Sequence, residues 1–197
     1  MTSAKTPAMT PAELEAVRDR LVPDVVADGL RVLFCGINPG LMTAATGHHF
    51  ARPGNRFWPA LHASGFTPRQ LHPSEQSELV RHGLGITNVV ARASARADEL
   101  SDEEYREGGR ILEEKVLRLR PRWLAVAGVT AYRVAFGDKK AKIGPQTRTI
   151  GDTRIWALPN PSGLNALWTT PKLTDVFRAF RLVTGLPDAS CAGGPED

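Results

Sequence analysis

The chain has 197 residues, a formal net charge of +4 and a sequence pI of about 9.4, enough length for one domain that buries its own core without staples. Two cysteines, Cys35 and Cys191, exclude a disulfide framework and any four-cysteine zinc or iron–sulfur site; no stretch has the pattern of a signal peptide or a membrane span. The expectation is a cytoplasmic monomer with no cofactor, no metal and no membrane contact, whose mild basicity suits a polyanionic partner.

Residues 1–25 read as a flexible N-terminal extension, Thr/Ala/Pro-rich at its start. A short helix is expected within it from Pro11 to Leu21, capped by Thr10 and stopped by Pro23. Leu30–Cys35 is short, apolar and bounded by turn residues, the pattern of a buried strand. From there to about Gly54 the chain reads as a long glycine-containing loop, and long loops in small domains tend to carry function. Asn55–Ser64 reads as a helix, in which Pro59 is tolerated only in the first turn. Ser74 opens a short helix that Gly83 ends, and Leu84–Val90 is the second strand. Ser101 and Glu104 form a capping box for a helix whose apolar positions, Tyr105, Ile111, Leu112, Val116 and Leu119, run up to Pro121. Trp123–Ala127 is a third strand and Thr130–Phe136 a short helix. Gly137–Gly151, with Lys139, Lys140, Lys142 and Arg148, reads as a basic loop before a fourth strand, Thr153–Leu158. The last helix begins at Thr170-Pro171 and carries the stripe Leu173, Val176, Phe177, Phe180 and Val183. Residues 186–197 read as a disordered tail. Alternating strands and helices predict an α/β fold: a single three-layer α/β/α domain over residues 26–185, around a mainly parallel, four-stranded sheet.

Two strand ends share a grammar. The first strand runs into Gly36-Ile37-Asn38-Pro39-Gly40, and the fourth into Pro159-Asn160-Pro161-Ser162-Gly163-Leu164-Asn165. Each turn is stiffened by proline and holds one asparagine where ligands bind in open α/β sheets, just beyond the carboxyl ends of strands. With Thr46-Gly47-His48-His49-Phe50-Ala51 and Asn55-Arg56-Phe57-Trp58 between them, these motifs resemble the uracil-DNA glycosylase superfamily over roughly residues 28–183. The match is nearest the mismatch-specific branch that includes the thymine-DNA glycosylases. The resemblance implies the glycosylase fold and a monofunctional enzyme acting on double-stranded DNA. Such an enzyme flips uracil out of G·U mismatches, and related bases such as thymine or etheno-adducts, and hydrolyses the N-glycosidic bond in base excision repair.

Breaking that bond passes through an oxocarbenium-like transition state. The resemblance makes Asn38 and Asn160 the catalytic pair. An amide carbonyl at Asn38 can accept a hydrogen from the attacking water but cannot serve as a strong base; a carboxylate there would polarise water better, so slow chemistry is expected. Gly36, Ile37, Phe50 and Asn88 are the candidate base-binding residues. Phe50 is the candidate stacking ring, with a core phenylalanine as the other reading. Ser162, Gly163, Leu164 and Asn165 form the candidate insertion wedge, which fills the space left by the extruded base; the other reading makes Leu164 a staple into the core. His48 and His49 are read as exposed loop residues or, failing that, DNA contacts. Relatives often carry an acid after the second strand, where this chain has Ala91, Ala93, Ala95 and Ala97, so either the loop has drifted or an acid is missing at Ala91 or Ala93. Arg52, Arg56, Arg92, Lys139 and Lys140, with Arg96, Lys142 and Lys172, are the candidate phosphate contacts.

The alternative is a small α/β module, or an impaired glycosylase, that binds DNA without catalysis. A dinucleotide-binding oxidoreductase is disfavoured, since Gly-Ile-Asn-Pro-Gly lacks the pyrophosphate-cradling spacing and its proline removes an amide donor.

Overall fold

The computed structural model describes residues 10–18 and 20–191. Its centre is a five-stranded sheet of order β2-β1-β3-β5-β4, built from β1 (Val32–Gly36), β2 (Leu84–Asn88), β3 (Trp123–Ala127), β4 (Gly144–Ile150) and β5 (Thr153–Leu158). β2, β1, β3 and β5 run parallel, and β4 pairs antiparallel with β5. The helices are α1 (Pro11–Glu15), α2 (Leu41–Thr46), α3 (Phe57–Ala63), α4 (Asp102–Leu119), α5 (Val129–Ala135) and α6 (Thr170–Thr184).

The parallel strands are apolar at successive positions because both faces are covered. In β1, Val32 and Phe34 enter one core with α3 and α6, while Leu33 and Cys35 enter the other with α4 and α5. β3 divides in the same way, Trp123 and Ala125 against Leu124 and Val126. Period-two alternation thus hides inside a continuous apolar run. Phe34 anchors the first core, edge-on to Phe57 and Phe66 at 5.4 Å and stacked on Phe177 at 6.0 Å. Emptying such a site costs roughly 3–5 kcal/mol.

The three-layer fold is the one the sequence predicts, with a fifth strand added. β4 lies where a basic loop was expected. It is an edge strand with mostly exposed polar residues, so it shows no hydrophobic period. Its one local signal is the two-residue turn Gly151-Asp152, where Gly151 has φ +55°. The long loop after β1 also contains α2, closed by Gly47 at φ +75°.

The ends differ from expectation as well. α1 stops at Glu15, but Val17 is buried against Ala44 and Ala93, and Val25 forms an antiparallel bridge to Ile86. Val17 and Val25 are therefore docked on the body. At the other end, buried Arg181 binds Ser64 O, Leu186 O and the Asp188 carboxylate, and Ala189 N–H donates to Gly65 O at 2.8 Å. Residues 186–191 are thus packed on the body; the remainder of the expected tail, 192–197, and residues 1–9 lie outside the described residues.

Candidate active site

The carboxyl ends of the four parallel strands open on one cleft of about 580 Å³. Asn38 follows β1, Asn88 ends β2, Ala127 ends β3 and Asn160 follows β5; all four line it, with Phe50 and Leu164. The two asparagine turns, separated by more than a hundred residues, meet because β1 and β5 both flank β3.

Asn38 is held by its nitrogen. Its Nδ2 donates to Arg92 O at 2.9 Å and to Ser94 Oγ at 2.8 Å. Ser94 Oγ donates its own hydrogen to Arg96 O at 2.7 Å, so it can only accept from Asn38. Both amide hydrogens are used, and Oδ1 makes no hydrogen bond among the described residues. The carbonyl is left to accept from a water or a substrate hydroxyl. A carboxylate in this place would set one of its oxygens against the Arg92 carbonyl, acceptor against acceptor. Sequence reasoning missed Ser94, whose only signal was its place in the loop after β2.

The pocket wall is made by close approach at Gly36. A Cβ there would lie 2.5 Å from Asn88 Oδ1 and 3.3 Å from Phe50 Cζ, so only glycine lets the two side chains converge. Phe50 sits at φ +54°, a strained value for a bulky residue. Its ring stacks on fully buried Phe57, centroids 4.0 Å apart at 18°. Phe57 covers one side, and the half-buried Phe50 presents the remainder of its ring to the cleft. Ile37 lines the cleft and also packs on the α5 side of the core.

The two histidines are not the exposed pair the sequence pointed to. His48 is half-buried, and His49 is 1% exposed. His49 Nε2 lies 2.9 Å from Pro23 O and Nδ1 lies 3.3 Å from Asn88 Nδ2. Burial holds its pKa below the ordinary histidine value, outweighing the Pro23 hydrogen bond and the Asp24 charge that act the other way.

The turn after β5 is braced from within and without. Asn160 Oδ1 accepts from Ser162 N–H at 3.0 Å, and Asn165 Nδ2 donates to Asn160 O at 3.3 Å. Arg56 reaches across to Ser162 O and Asn165 O, both at 3.0 Å. A Cβ on Gly163 would meet Gly54 O at 2.5 Å, so the turn packs directly on the loop before α3. Leu164 is 64% exposed at the tip, which rules out the core-staple reading. Leu167, also exposed, escaped sequence reasoning. Asn160 Nδ2 makes no hydrogen bond among the described residues and can donate into the cleft.

Other candidates lie elsewhere. Ala93 is fully buried against Val17 and Ala44, and Ala91 is exposed away from the cleft; Ala95, Ala97 and Asp98 line it instead. An aspartate at 93 would be an unpaired buried charge, so of the two positions read for a missing acid only Ala91, which is exposed, could carry one. Asp98 is the one carboxylate among the described lining residues, and Arg96 pairs with it at 2.7 Å, holding its carboxyl below the usual range. Of the phosphate candidates, Arg52 is exposed on the cleft. Arg56 is occupied in bracing the turn, and Arg92 pairs with Glu104 at 2.6 Å. Lys139 and Lys140 are exposed between α5 and β4, off the cleft. Among the described residues no three His, Cys, Asp or Glu side chains converge as a metal site needs.

A family model, the uracil DNA glycosylase superfamily, matches residues 23–181. The chain belongs to the uracil DNA glycosylase superfamily. Among solved structures it is similar to the solution NMR structure of a candidate uracil DNA glycosylase from Methanosarcina acetivorans. That match has a TM-score of 0.57 and 18% identity, and covers 84% of this chain and 98% of the other; at that identity the likeness is one of fold. The superfamily acts on DNA, and the strand-end residues Asn38, Asn88 and Asn160 that line this cleft are neutral.

Proposed function

We propose that this protein is a monofunctional DNA glycosylase that removes uracil from G·U mismatches by hydrolysis. The observation that carries the reading is the anchoring of Asn38, whose nitrogen is tied to Arg92 O and Ser94 Oγ while its carbonyl is left to the cleft. An acceptor fixed in this way orients a water toward the anomeric carbon without first reorganising.

Phe50 and Asn88 receive the flipped base, the ring by stacking, worth about 1–3 kcal/mol, and the amide by its hydrogen-bonding edge. Asn160 Nδ2 donates to the oxygen on which the departing base gathers charge, or to a neighbouring phosphate. Leu164 fills the vacated stack. Extruding a base costs a few kcal/mol and less at a mismatch, which favours G·U over paired DNA. With water held by an amide and the cleft's carboxylate tied to Arg96, the general-base contribution of roughly 100- to 10,000-fold is forgone; the enzyme is slow.

The deciding experiment is incubation with a duplex carrying one G·U pair, followed by hot alkali. Strand cleavage at the abasic site supports the glycosylase. Gel retardation without cleavage would instead make the protein a binding module. Borohydride should trap no covalent complex, because none of the cleft-lining residues is a lysine that could form a Schiff base.

A further inference from the structure

We propose that a second pocket, at the amino ends of β3 and β5, is a docking site for an acidic peptide segment of a protein partner. The segment seats an apolar side chain against Leu117 and Val183 and its carboxylates on Arg120, Arg122 and Arg154. The pocket lies at the opposite end of the parallel strands from the cleft, so the partner is held while DNA fills the active site.

The pocket, of about 880 Å³, is bounded by the carboxyl ends of α4 and α6, the first residues of β3 and β5 and the turn between β4 and β5. Its three arginines are all exposed. Arginines elsewhere, such as Arg69, Arg110 and Arg178, pair with a carboxylate; Arg120, Arg122 and Arg154 make no ion pair among the described residues. They are nevertheless held in place. Arg154 N–H donates to Arg122 O at 3.1 Å, which puts the two on adjoining strand ends. The Arg154 guanidinium lies over the Trp123 ring, 5.4 Å from its centroid. Arg120 closes α4 at φ +47°, where helices usually place glycine. Among the described residues one other non-glycine residue has a positive φ, and it is Phe50 in the cleft. Backbone strain of this kind clusters at functional sites.

Charge and shape together select the occupant. Asp152 is the one carboxylate lining the pocket, and the carboxyl ends of α4 and α6 each add roughly half a negative charge; three guanidiniums outweigh them. Leu117 and Val183, 52% and 50% exposed, add an apolar wall. An inorganic anion would leave that wall in water, and a duplex calls for a broad run of cations rather than a hollow. A fatty acid brings one carboxylate to three guanidiniums. A short acidic segment with an apolar residue among its acids uses every part. Each guanidinium can take a carboxylate in a two-pronged hydrogen bond, and the apolar residue covers the aliphatic surface.

The test is a selection of short random peptides on the immobilised full chain, after depletion on a variant carrying Arg120→Gly, Arg122→Gln and Arg154→Gln together. Retained peptides should carry several Asp or Glu residues around a Leu, Ile or Phe. The tightest of them should bind Arg120→Gly about ten-fold or more weaker than wild type, as the loss of a charged hydrogen-bond partner predicts, and should also bind Leu117→Ser more weakly. Arg120→Gly separates docking from folding, because glycine relieves the positive φ and its melting temperature should be no lower than that of wild type. Excision from a G·U duplex should be the same with and without the peptide. Failure to retain any peptide, retained peptides with no excess of acids, or equal binding to wild type and Arg120→Gly overturns the inference. So does binding lost only in variants whose melting temperature falls. A triple variant with a shallower salt dependence of duplex binding would assign the pocket to DNA, and wild-type self-association that the triple variant lacks would assign it to a second copy of the chain; either result overturns the inference.

Discussion

At the scale of single residues, the chemistry turns on which atoms of an amide are already spoken for. Asn38 spends its two N–H groups on Arg92 O and Ser94 Oγ, so its neighbours define it as an acceptor. Ser94→Ala removes one of those anchors. One hydrogen bond is worth about 0.5–1.5 kcal/mol, so single-turnover excision should fall roughly two- to ten-fold, with duplex affinity unchanged. A rate equal to wild type would mean that Arg92 O suffices. Asn38→Ala should abolish excision while leaving DNA binding within a few-fold. Asn38→Asp is the sharper test. Its ionised carboxylate faces the Arg92 carbonyl, so excision at pH 8 should be slower than wild type and should recover as the pH is lowered and the carboxyl gains a hydrogen to donate. A faster rate at pH 8 would show that the loop rearranges around the charge. The identity of Asn38 and its place at a strand end were legible in the sequence. Its polarity was not, because that depends on the backbone oxygen of a residue 54 positions away. His49 was misread for the same reason: a histidine in a polar loop looks solvated until Pro23, Gln76 and Trp58 are seen to enclose it.

At the scale of elements, the parallel strands and amphipathic helices were readable because burial on one or two faces writes itself into period and composition. The capping box of Ser101 and Glu104 is present as predicted, with Glu104 N–H donating to Ser101 Oγ at 3.2 Å. The Glu104 carboxyl is held down at about 2, first by Arg92 and then by Ser101. β4 was missed because Pro145, Thr147, Arg148 and Thr149 of this edge strand are exposed, leaving only Ile150 at its end to enter the core and no hydrophobic period to read. The turn after β5 lies between these cases. Its residues announced a rigid loop, and its bracing by Arg56 could not be foreseen. That bracing bears on the wedge. Leu164 stands exposed on a turn fixed by other residues, so Leu164→Ala should leave the melting temperature within about 1 °C, as surface substitutions do. It should slow excision from a G·U duplex by ten-fold or more, and from single-stranded DNA, which has little stack to break, much less. Equal losses on both substrates, or a sharp fall in melting temperature, would contradict the wedge.

At the scale of the molecule, a net charge of +4 says little until the paired cations are set aside. Arg18, Arg69, Arg92, Arg96, Arg110 and Arg148 all sit in ion pairs; their charge is locally answered, and a phosphate would have to displace a carboxylate to reach them. Arg52, Lys139, Lys140 and Lys142 make no ion pair among the described residues, and of these only Arg52 lines the cleft. DNA affinity falls with salt because each phosphate contact releases condensed counterion, with a slope of about −0.9 per contact on duplex DNA. The slope of log affinity against log salt therefore counts the cations that touch backbone. Arg52→Ala should make that slope shallower by about one and weaken binding alike for mismatched and fully paired duplexes. Arg92→Ala should leave the slope unchanged, since Glu104 already holds that guanidinium. The comparison is internal, because both substitutions remove one positive charge. If the two variants shift the slope equally, long-range charge rather than direct contact governs binding, and the assignment of Arg52 to the DNA backbone fails.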